Sequence, residues 1–417
     1  MAISAENLGK RLREVRSNRG ITQEQAGEAI GVPRTAIVHF EAGNRVPSTL
    51  QLAKLAEYYK QPIWDFFSEG PIPETAREQA LVSLRVAEAF QNHPRLEQEV
   101  ARCIELCQEA VALEELLGKK QRTGPPRYTL AEPGSRAEAA NQGAQVAGEE
   151  RRRLGLADVP IHALAELLSN EGVWVAGAEL PDEMSGLFLQ EARIGIVILV
   201  NQGHARPRKR FSYAHEYGHA LMDRNRAAIV STSGNSRELS ETRANSFAAA
   251  FLMPAGGVRS YLARLEKGLN VRQTQAIYDV AGRQGSETEV RAMAGSQKIV
   301  YQDAASLARY FGVSYQAAVF RLRDLGVINQ GEREALLEQE ALGNQYLRVL
   351  KFEDAVDSGQ YAAEGQREER ELVSRVAYLA IEAFRREEIT GQRVFELAEK
   401  LQLDGQELLD LAEAARQ

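Results

Sequence analysis

Cysteine is nearly absent from this chain, which excludes a fold held together by disulfide bonds. The 417 residues include only Cys103 and Cys107, one turn apart on a predicted helix, whereas disulfide-dependent proteins carry several spaced pairs and occupy oxidising compartments. We therefore predict that both side chains are buried as small apolar groups, with a redox pair or a metal site as the alternatives. The same scarcity leads us to expect a cytoplasmic protein.

Long apolar runs are also missing from the sequence. No stretch approaches the roughly 18 apolar residues of a transmembrane helix, and residues 1–23 are polar and charged throughout, unlike a signal peptide. We expect no membrane partner. Hydrophobic residues still make up 44% of the chain, enough for more than one core, and the length suggests two to four domains. The net charge of −7 argues against a protein that coats nucleic acid over its whole surface.

The strongest motif is the pentapeptide His215-Glu216-Tyr217-Gly218-His219. With about 3.6 residues per helical turn, the two histidines lie on one face and can bind one Zn²⁺ together. Glu216 lies beside them, in the position to take a proton from a water instead of binding the metal. Two surface histidines on an amphipathic helix are the alternative. Residues 194–200 have the pattern of a buried strand leading into this helix, as expected of a zincin-like peptidase.

A second helix is predicted downstream, over residues 238–254, and ends at Met253-Pro254. Glu241 stands near its start, and Asn245 follows one turn later on the same face. The two histidines, Glu241 and the runs Ala244-Asn245 and Leu252-Met253-Pro254 together resemble the ImmA/IrrE zinc metallopeptidases. The resemblance implies Zn²⁺ bound by His215, His219 and Glu241, with Glu216 as the general base of peptide-bond hydrolysis. Glu238 is the alternative third ligand.

The resemblance to this family covers residues 145–330. It implies helices between residues 147 and 168, a first hairpin at residues 180–187, and a strand that ends at Val200-Asn201. That strand is a candidate edge for an extended substrate. Tyr217 replaces the aliphatic residue usual in the family, and we expect its ring to pack behind the metal helix. Tyr213, Tyr217 and His204 are the candidates for stabilising the oxyanion.

A pattern of short helices occupies the first 67 residues. A basic amphipathic helix covers residues 8–19, and Thr22 with Gln25 predicts a capping box at the next helix, residues 23–30. Gly31 permits a tight turn, and a third helix opens with Pro33 in its first turn and ends at Ala42-Gly43. Helices at residues 49–58 and 62–67 complete a five-helix unit. Its predicted core consists of Ala26, Ile30, Ile37, Phe40, Leu52, Leu55 and Ala56.

This spacing resembles the XRE (phage-repressor-like) DNA-binding domain. The resemblance implies that Gln23 contacts phosphate, that Arg16 and Glu41 form an internal ion pair, and that three exposed residues read base edges, namely Arg34, Thr35 and His39. A helical protein-interaction module is the alternative. Residues 1–45 hold seven Lys and Arg against five Asp and Glu, a net charge of +2. We therefore expect a monomer to bind weakly and a homodimer to bind a double-stranded operator.

Other segments give weaker predictions. Helices are predicted at residues 77–90 and 96–117, and an apolar stripe on the second favours a dimer seam over packing against the peptidase: Ile104, Val111, Leu113 and Leu116. Residues 119–143 are rich in glycine and proline and predict a hinge or a linker that becomes ordered on binding. After Pro254 we expect almost only helix. Residues 306–328 again have helix-turn-helix spacing, which favours a packing element over a second DNA reader, and further helices are predicted at residues 370–386 and 393–401.

The run from His204 to Arg210 places four positive charges directly before the metal helix. One interpretation is a solvated loop in which Arg210 is anchored structurally. The other is an anion-binding site, in which Arg206, Arg208 and Lys209 bind a polyanion such as single-stranded DNA that stimulates proteolysis.

These patterns together predict a mainly α protein with a small α+β part. We expect a five-helix DNA-binding domain at residues 1–68, a helical linker at 69–144, a zincin-like peptidase domain with a small antiparallel sheet at 145–335, and a helical extension at 336–417. The predicted function is a DNA-binding zinc endopeptidase, linked to stress or mobile elements, that cleaves a repressor: itself or a separate XRE-type protein. A regulator whose peptidase-like module senses a ligand without proteolysis is the alternative. An antitoxin role rests on domain type alone.

Overall fold

The chain divides into two compact units, Met1–Thr75 and Ala76–Gln417. A computed structural model describes residues 5–18, 21–59, 94–120, 122–191, 194–224, 228–232, 238–267, 272–279, 284–291, 297–357 and 370–415. Within these ranges, no helix is long and apolar enough to cross a membrane.

The first unit is built from four described helices around one core: α1 Ala5–Asn18, α2 Gln23–Ile30, α3 Arg34–Glu41 and α4 Thr49–Tyr58. Thr22 and Gln25 form the predicted capping box, and Gly31 ends α2 with φ 72°. Pro33 is the N-cap of α3 and not a residue of its first turn. The predicted core residues are all buried together, joined by Leu8, Leu12, Val15 and Tyr59. The predicted helix at residues 62–67 lies outside the described ranges.

The second unit combines a small sheet with many helices. Its first elements are α5 Pro94–Leu116, α6 Arg136–Arg153, α7 Leu164–Asn170, β1 Val173–Ala178, β2 Met184–Glu191, β3 Gly195–Asn201, α8 Arg206–Met222, β4 Ala228–Thr232, α9 Leu239–Leu252 and α10 Ala255–Arg264. They are followed by β5 Arg272–Asp279, β6 Gln284–Arg291, α11 Tyr301–Phe311, α12 Tyr315–Asp324, α13 Gln330–Glu338, α14 Glu340–Asp357, α15 Glu371–Arg385, α16 Gly391–Leu401 and α17 Gly405–Ala414.

The main sheet is mixed, with strand order β1-β3-β2-β4. Strand β2 runs antiparallel to β3 and β4, as predicted for the sheet, but β1 pairs with β3 in parallel. The hairpin predicted at residues 180–187 is therefore wrong. That segment leads from β1 to β2, which pair with β3 on its two sides. The side-chain amide of Asn201 fixes the segment by donating hydrogen bonds to the carbonyls of Leu180 (3.0 Å) and Pro181 (2.9 Å). Because β3 is central, the edge predicted at Val200-Asn201 is also wrong.

Both faces of the sheet are covered, which follows from the alternation of side chains along β3. Ile196, Ile198 and Val200 face the core that contains α8 and α9. Val197 and Leu199 face the opposite core, which α5 and α15 complete. The predicted dimer seam on α5 is wrong for Ile104 and Leu113, because both are buried inside this second core, although Leu116 remains 48% exposed.

The C-terminal helices are held on α5 by ion pairs as well as by apolar contacts. Arg375 pairs with Glu114 (2.7 Å), and Arg393 pairs with Glu109 (2.5 Å). Lys400 also contacts Glu109, at 2.6 Å. The predicted helices at residues 370–386 and 393–401 are thus present, and they cover the face of the sheet opposite the metal helix. Cys103 and Cys107 lie in this core as buried free thiols, as predicted.

The hinge predicted at residues 119–143 is wrong. The Arg122 guanidinium stacks on the Trp174 ring at 3.8 Å, and the Tyr128 amide donates to the carbonyl of Leu221 at 2.9 Å. Helix α6 begins at Arg136, inside the predicted linker. The apolar pattern did not reveal this helix because many of its residues are small. The same small residues permit close packing, since a β-carbon at Gly143 would lie 2.1 Å from the Arg243 carbonyl oxygen.

Two expectations for the region after Pro254 have different outcomes. Helices α11 and α12 are a packing element, as predicted, because Leu307, Phe311 and Leu322 are buried in the core with α8 and α9. The expectation of almost only helix is wrong, since β5 and β6 form an antiparallel ribbon. Those strands are largely polar in sequence, so apolar alternation gave no signal for them. The helix predicted at residues 77–90 lies outside the described ranges.

Candidate metal centre

Helix α8 carries both motif histidines on a face that is buried. Side chains from Ser212 to Met222 are all buried, because α8 lies between the sheet and α9. The Nε2 atoms of His215 and His219 lie 3.1 Å apart, and the rings meet edge to face at a centroid distance of 4.8 Å. The sequence spacing therefore places two imidazole nitrogens at one point.

Helix α9 brings the Glu241 carboxylate to that point. One oxygen of Glu241 lies 3.2 Å from Nε2 of His215, and the other lies 3.4 Å from Nε2 of His219. The candidate ligand atoms of the three residues lie within 4.8 Å of one another, so this group could hold a metal ion. Two imidazoles and one carboxylate suit a tetrahedral site with one open position. Glu238, the alternative ligand, is not in this group and is the N-cap residue of α9.

A second layer of polar groups orients the histidines. Nδ1 of His219 lies 2.8 Å from Asp223, whose other oxygen accepts a hydrogen bond from Arg243. Nδ1 of His215 lies 3.0 Å from Oδ1 of Asn245. A proton held on Nδ1 in this way leaves the Nε2 lone pair for a metal. Sequence reasoning missed Asp223 and Arg243, although the spacing of four residues from His219 to Asp223 was a usable signal.

The donor groups compensate one another electrostatically. Burial lowers the pKa of His219, but hydrogen bonds with Asp223 and Glu241 outweigh it and raise that pKa to about 10. Burial also raises the pKa of Glu241, yet hydrogen bonds from His215 and His219 lower it to about 2. His219 and Glu241 thus each favour the charged form of the other.

Glu216 differs from the candidate metal ligands, whose burial is offset by hydrogen bonds. Its side chain is fully buried, and neither carboxylate oxygen has a hydrogen-bond partner among the described residues. Burial raises the pKa of Glu216, although His215 and His219 oppose the rise. The neighbouring Ser231 hydroxyl on β4 opposes it as well. A buried carboxylate with a raised pKa is suited to accepting a proton near neutral pH.

The three oxyanion candidates lie in different surroundings. The ring of Tyr217 packs behind the metal helix, as expected, against Phe247 and Phe251. Its hydroxyl donates to Glu150 at 2.5 Å, on the side of α8 away from the metal donors, so Tyr217 is wrong as an oxyanion group. Tyr213 is fully buried in the same core. His204 lies two residues before α8, with Nε2 3.2 Å from the Asp182 carbonyl oxygen.

The basic run before the motif is the first turn of α8 and not a loop, because the helix begins at Arg206. Arg210 is anchored as predicted: its guanidinium donates to the carbonyls of Ile161, His162 (2.8 Å) and Gly312 (3.1 Å). Arg208 is exposed, whereas Arg206 and Lys209 are half-buried. The run thus presents positive charge at the N-terminal end of the metal helix.

The predicted DNA-contacting residues lie in the first unit. Arg34, Thr35 and His39 are all exposed on α3. The predicted ion pair is present, since Arg16 Nε lies 2.5 Å from Glu41 Oε1. Gln23, at the start of α2, joins this pair by donating one hydrogen bond to Glu41 Oε2 at 2.9 Å.

Two regions of the chain match known protein families. Residues 7–63 match a family described as a helix-turn-helix domain. Residues 169–283 match peptidase family M78, described as an IrrE N-terminal-like domain. The second match contains both motif histidines, Glu216 and Glu241. Both resemblances drawn from the sequence motifs are thereby confirmed.

Similar proteins cover only part of the chain. The HTH-type transcriptional regulator PuuR of Escherichia coli (strain K12) is 36% identical over 66 residues, which are 16% of this chain and 36% of PuuR. The chain thus spans little more than a third of PuuR. The uncharacterized HTH-type transcriptional regulator YgzD of Bacillus subtilis (strain 168) is 33% identical over 60 residues, 14% of this chain and 91% of YgzD. The crystal structure of Bacillus thuringiensis PlcR with the peptide PapR7 and DNA aligns with 84% of this chain and 98% of that chain, but at 13% identity and a TM-score of 0.15 it carries no argument.

Removing a donor should release the metal, which can be measured as metal content after dialysis. We expect His215→Ala, His219→Ala and Glu241→Ala each to lose most of the bound divalent metal, because each removes one of three ligands. Asp223→Asn should weaken metal affinity about 10- to 100-fold, since it disturbs the orientation of His219. Glu238→Ala, one turn from Glu241, is the matched control and should bind metal like the parent. Full retention by both histidine variants would contradict the site.

Proposed function

We propose that this chain, which belongs to the helix-turn-helix regulators and carries an IrrE-type domain, is a DNA-binding zinc endopeptidase. Its substrate is a transcriptional repressor, either this chain itself or a separate XRE-type protein, cleaved under stress or on induction of a mobile element. The observation that carries the proposal is the fully buried Glu216 carboxylate, which has no hydrogen-bond partner among the described residues and lies beside the His215–His219–Glu241 group. A site that served only to bind a metal would not need that carboxylate.

The chemistry assigned to each side chain follows from its surroundings. His215, His219 and Glu241 would hold Zn²⁺, which accepts imidazole and carboxylate ligands and, when bound, acts as a Lewis acid and lowers the pKa of water towards about 7. Glu216 accepts a proton from the attacking water and returns it to the leaving amine. Asp223 and Asn245 keep the two imidazoles in place by their contacts with Nδ1.

The first unit would direct the protein to a double-stranded operator. Arg34, Thr35 and His39 share the exposed surface of α3, where helix-turn-helix proteins read base edges in the major groove. We expect a homodimer on DNA, because the net charge of +2 over residues 1–45 gives one copy little attraction for phosphate. A regulator of this kind would act in the cytoplasm.

A ligand-sensing module without proteolysis is the second candidate. The observation in its favour is the closure of the site: the side chains of His215, Glu216, His219 and Glu241 are all buried, with exposures of 5% or less. A closed metal pocket suits a small ligand better than a polypeptide. The two candidates differ in whether Glu216 is needed.

Regulation by a polyanion is a further part of the proposal. Arg206, Arg208 and Lys209 carry positive charge at the first turn of α8, on the helix that holds both histidines. Single-stranded DNA binds cationic surfaces through its backbone without needing a defined sequence. Its binding here would stimulate proteolysis.

Glu216→Gln should abolish hydrolysis while the protein keeps its zinc and its fold. We expect repressor cleavage to fall on the order of 10²–10⁴-fold, because the amide cannot accept the proton. The measurement is incubation of the zinc-loaded chain with candidate XRE-type repressors, followed by mass spectrometry of the fragments. Glu238→Gln is the matched control and should cleave normally. Equal cleavage by Glu216→Gln would overturn the assignment of the base, and no cleavage by the parent would favour the sensor.

Arg34→Ala and Thr35→Ala should relax the sequence preference of DNA binding. Each should remove roughly 1–3 kcal/mol of discrimination between operator and unrelated sequence, whereas Gln23→Ala should weaken binding to all sequences alike. Fluorescence anisotropy with labelled duplexes at fixed salt measures both quantities. Arg348→Ala, an exposed arginine of the second unit, controls for loss of one charge. Unchanged discrimination in Arg34→Ala and Thr35→Ala would show that α3 does not read bases.

Reversing two charges at the start of α8 should abolish stimulation by single-stranded DNA. We expect Arg206→Glu with Arg208→Glu to keep zinc and basal cleavage but to lose the response, and we expect the parent's response to fade steeply with added salt. Cleavage rates with and without an oligonucleotide, over a salt series, test this. Reversal of Arg323 and Arg348, which are exposed elsewhere on the second unit, is the charge-matched control. An unchanged response would exclude this surface.

A further inference from the structure

Gly186 on β2 lies so close to the Glu216 side chain that any residue with a β-carbon would clash with it. A β-carbon at this position would lie 2.6 Å from Oε1 of Glu216, 2.9 Å from its Cγ and 3.0 Å from its Cδ. All three of these nearest atoms belong to the one side chain. The backbone of Gly186 does not have a positive φ, so its conformation is open to any residue. Space for Glu216 is therefore the reason for glycine here.

Neither Glu216 nor Gly186 can move away from this contact easily. Glu216 is fully buried, so its carboxylate cannot turn into solvent. Gly186 is paired on both sides, opposite Val200 of β3 and Ser231 of β4. The pairing with β4 is irregular between Met184 and Gly186, and the Ser185 hydroxyl at this irregularity donates to the Ser231 carbonyl at 3.2 Å. A methyl group at residue 186 would consequently displace the carboxylate.

Two other glycines at close contacts have a different purpose. A β-carbon at Gly143 would meet the Arg243 backbone at 2.1 Å, and one at Gly218 would meet the Phe247 ring at 3.0 Å. These two positions allow α6 and α8 to pack closely on α9. Gly186 instead faces the one buried carboxylate at the site that has no hydrogen-bond partner among the described residues.

We propose that Gly186 is a positioning residue for Glu216: by lacking a side chain, it admits the carboxylate against β2 and confines it beside His215 and His219. The role of Glu216 as a base rests on the proposed function, but the steric relation between the two residues does not. With a side chain at residue 186, the metal group stays intact while the carboxylate leaves its place. Gly186 thus controls where the proton is accepted and has no part in holding the metal.

A double-mutant cycle on thermal stability tests the contact without any substrate. Gly186→Ala is made in the full-length chain and again in a Glu216→Ala background. We expect the methyl group to lower Tm by about 2–8 °C when Glu216 is present and by much less when it is absent. Gly148→Ala on α6, where a β-carbon would meet only Arg152 at 3.7 Å, is the control for an added methyl group. Equal losses of Tm in the two backgrounds would overturn the proposal.

Activity and metal content then test the positioning role. Gly186→Ala should keep the metal content of the parent and lower kcat for repressor cleavage at least about 10-fold, with little change in KM. A purely structural role would lower metal content together with activity, and that result would contradict the proposal. Should the parent cleave no repressor, the proposed function fails, while the stability cycle still decides whether Gly186 seats Glu216.

Discussion

The close packing of α9 on α8 is the constraint on which the site depends. Gly218 lies against the Phe247 ring, so the two helices approach at the level of His219. A small rotation or shift of α9 would take the Glu241 carboxylate away from both imidazoles, since its oxygens lie only 3.2 and 3.4 Å from their nitrogens. Helix α6 also packs closely on α9, through Gly143, which leaves α9 little freedom to move.

Helix α8 is held by polar contacts on two sides. On the metal side, Asp223 and Asn245 contact the histidine Nδ1 atoms. On the other side, Tyr217 donates to Glu150, a fully buried carboxylate that also accepts a hydrogen bond from Tyr128 at 3.1 Å and two from Arg153. Buried charges are costly unless they are paired and hydrogen-bonded. Each of these contacts therefore has one favourable geometry, and together they determine the rotation of α8 about its axis.

The sequence predicted the parts of the site that follow from local spacing. His215, His219 and the cap at Thr22 depend on helical periodicity and turn chemistry, and both are readable along the chain. The parallel pairing of β1 with β3 was not readable, because strand order depends on contacts between segments distant in the chain. Gly143 was missed for another reason. Small residues carry little apolar signal, although they permit the closest helix contacts. Gly186 gave no signal either, since its neighbour Glu216 lies on another element.

The buried polar side chains of the site differ in their hydrogen bonding. His215, His219, Asp223 and Glu241 all have partners among the neighbouring side chains, which hold them in place. The Glu216 carboxylate has none among the described residues, which leaves its oxygens open to the attacking water of the proposed reaction. A well-aligned hydrogen-bond donor from the protein would stabilise the carboxylate and make it a weaker base. Burial in the core of α8, α9 and the sheet instead raises the pKa of Glu216, as proton transfer near neutral pH requires.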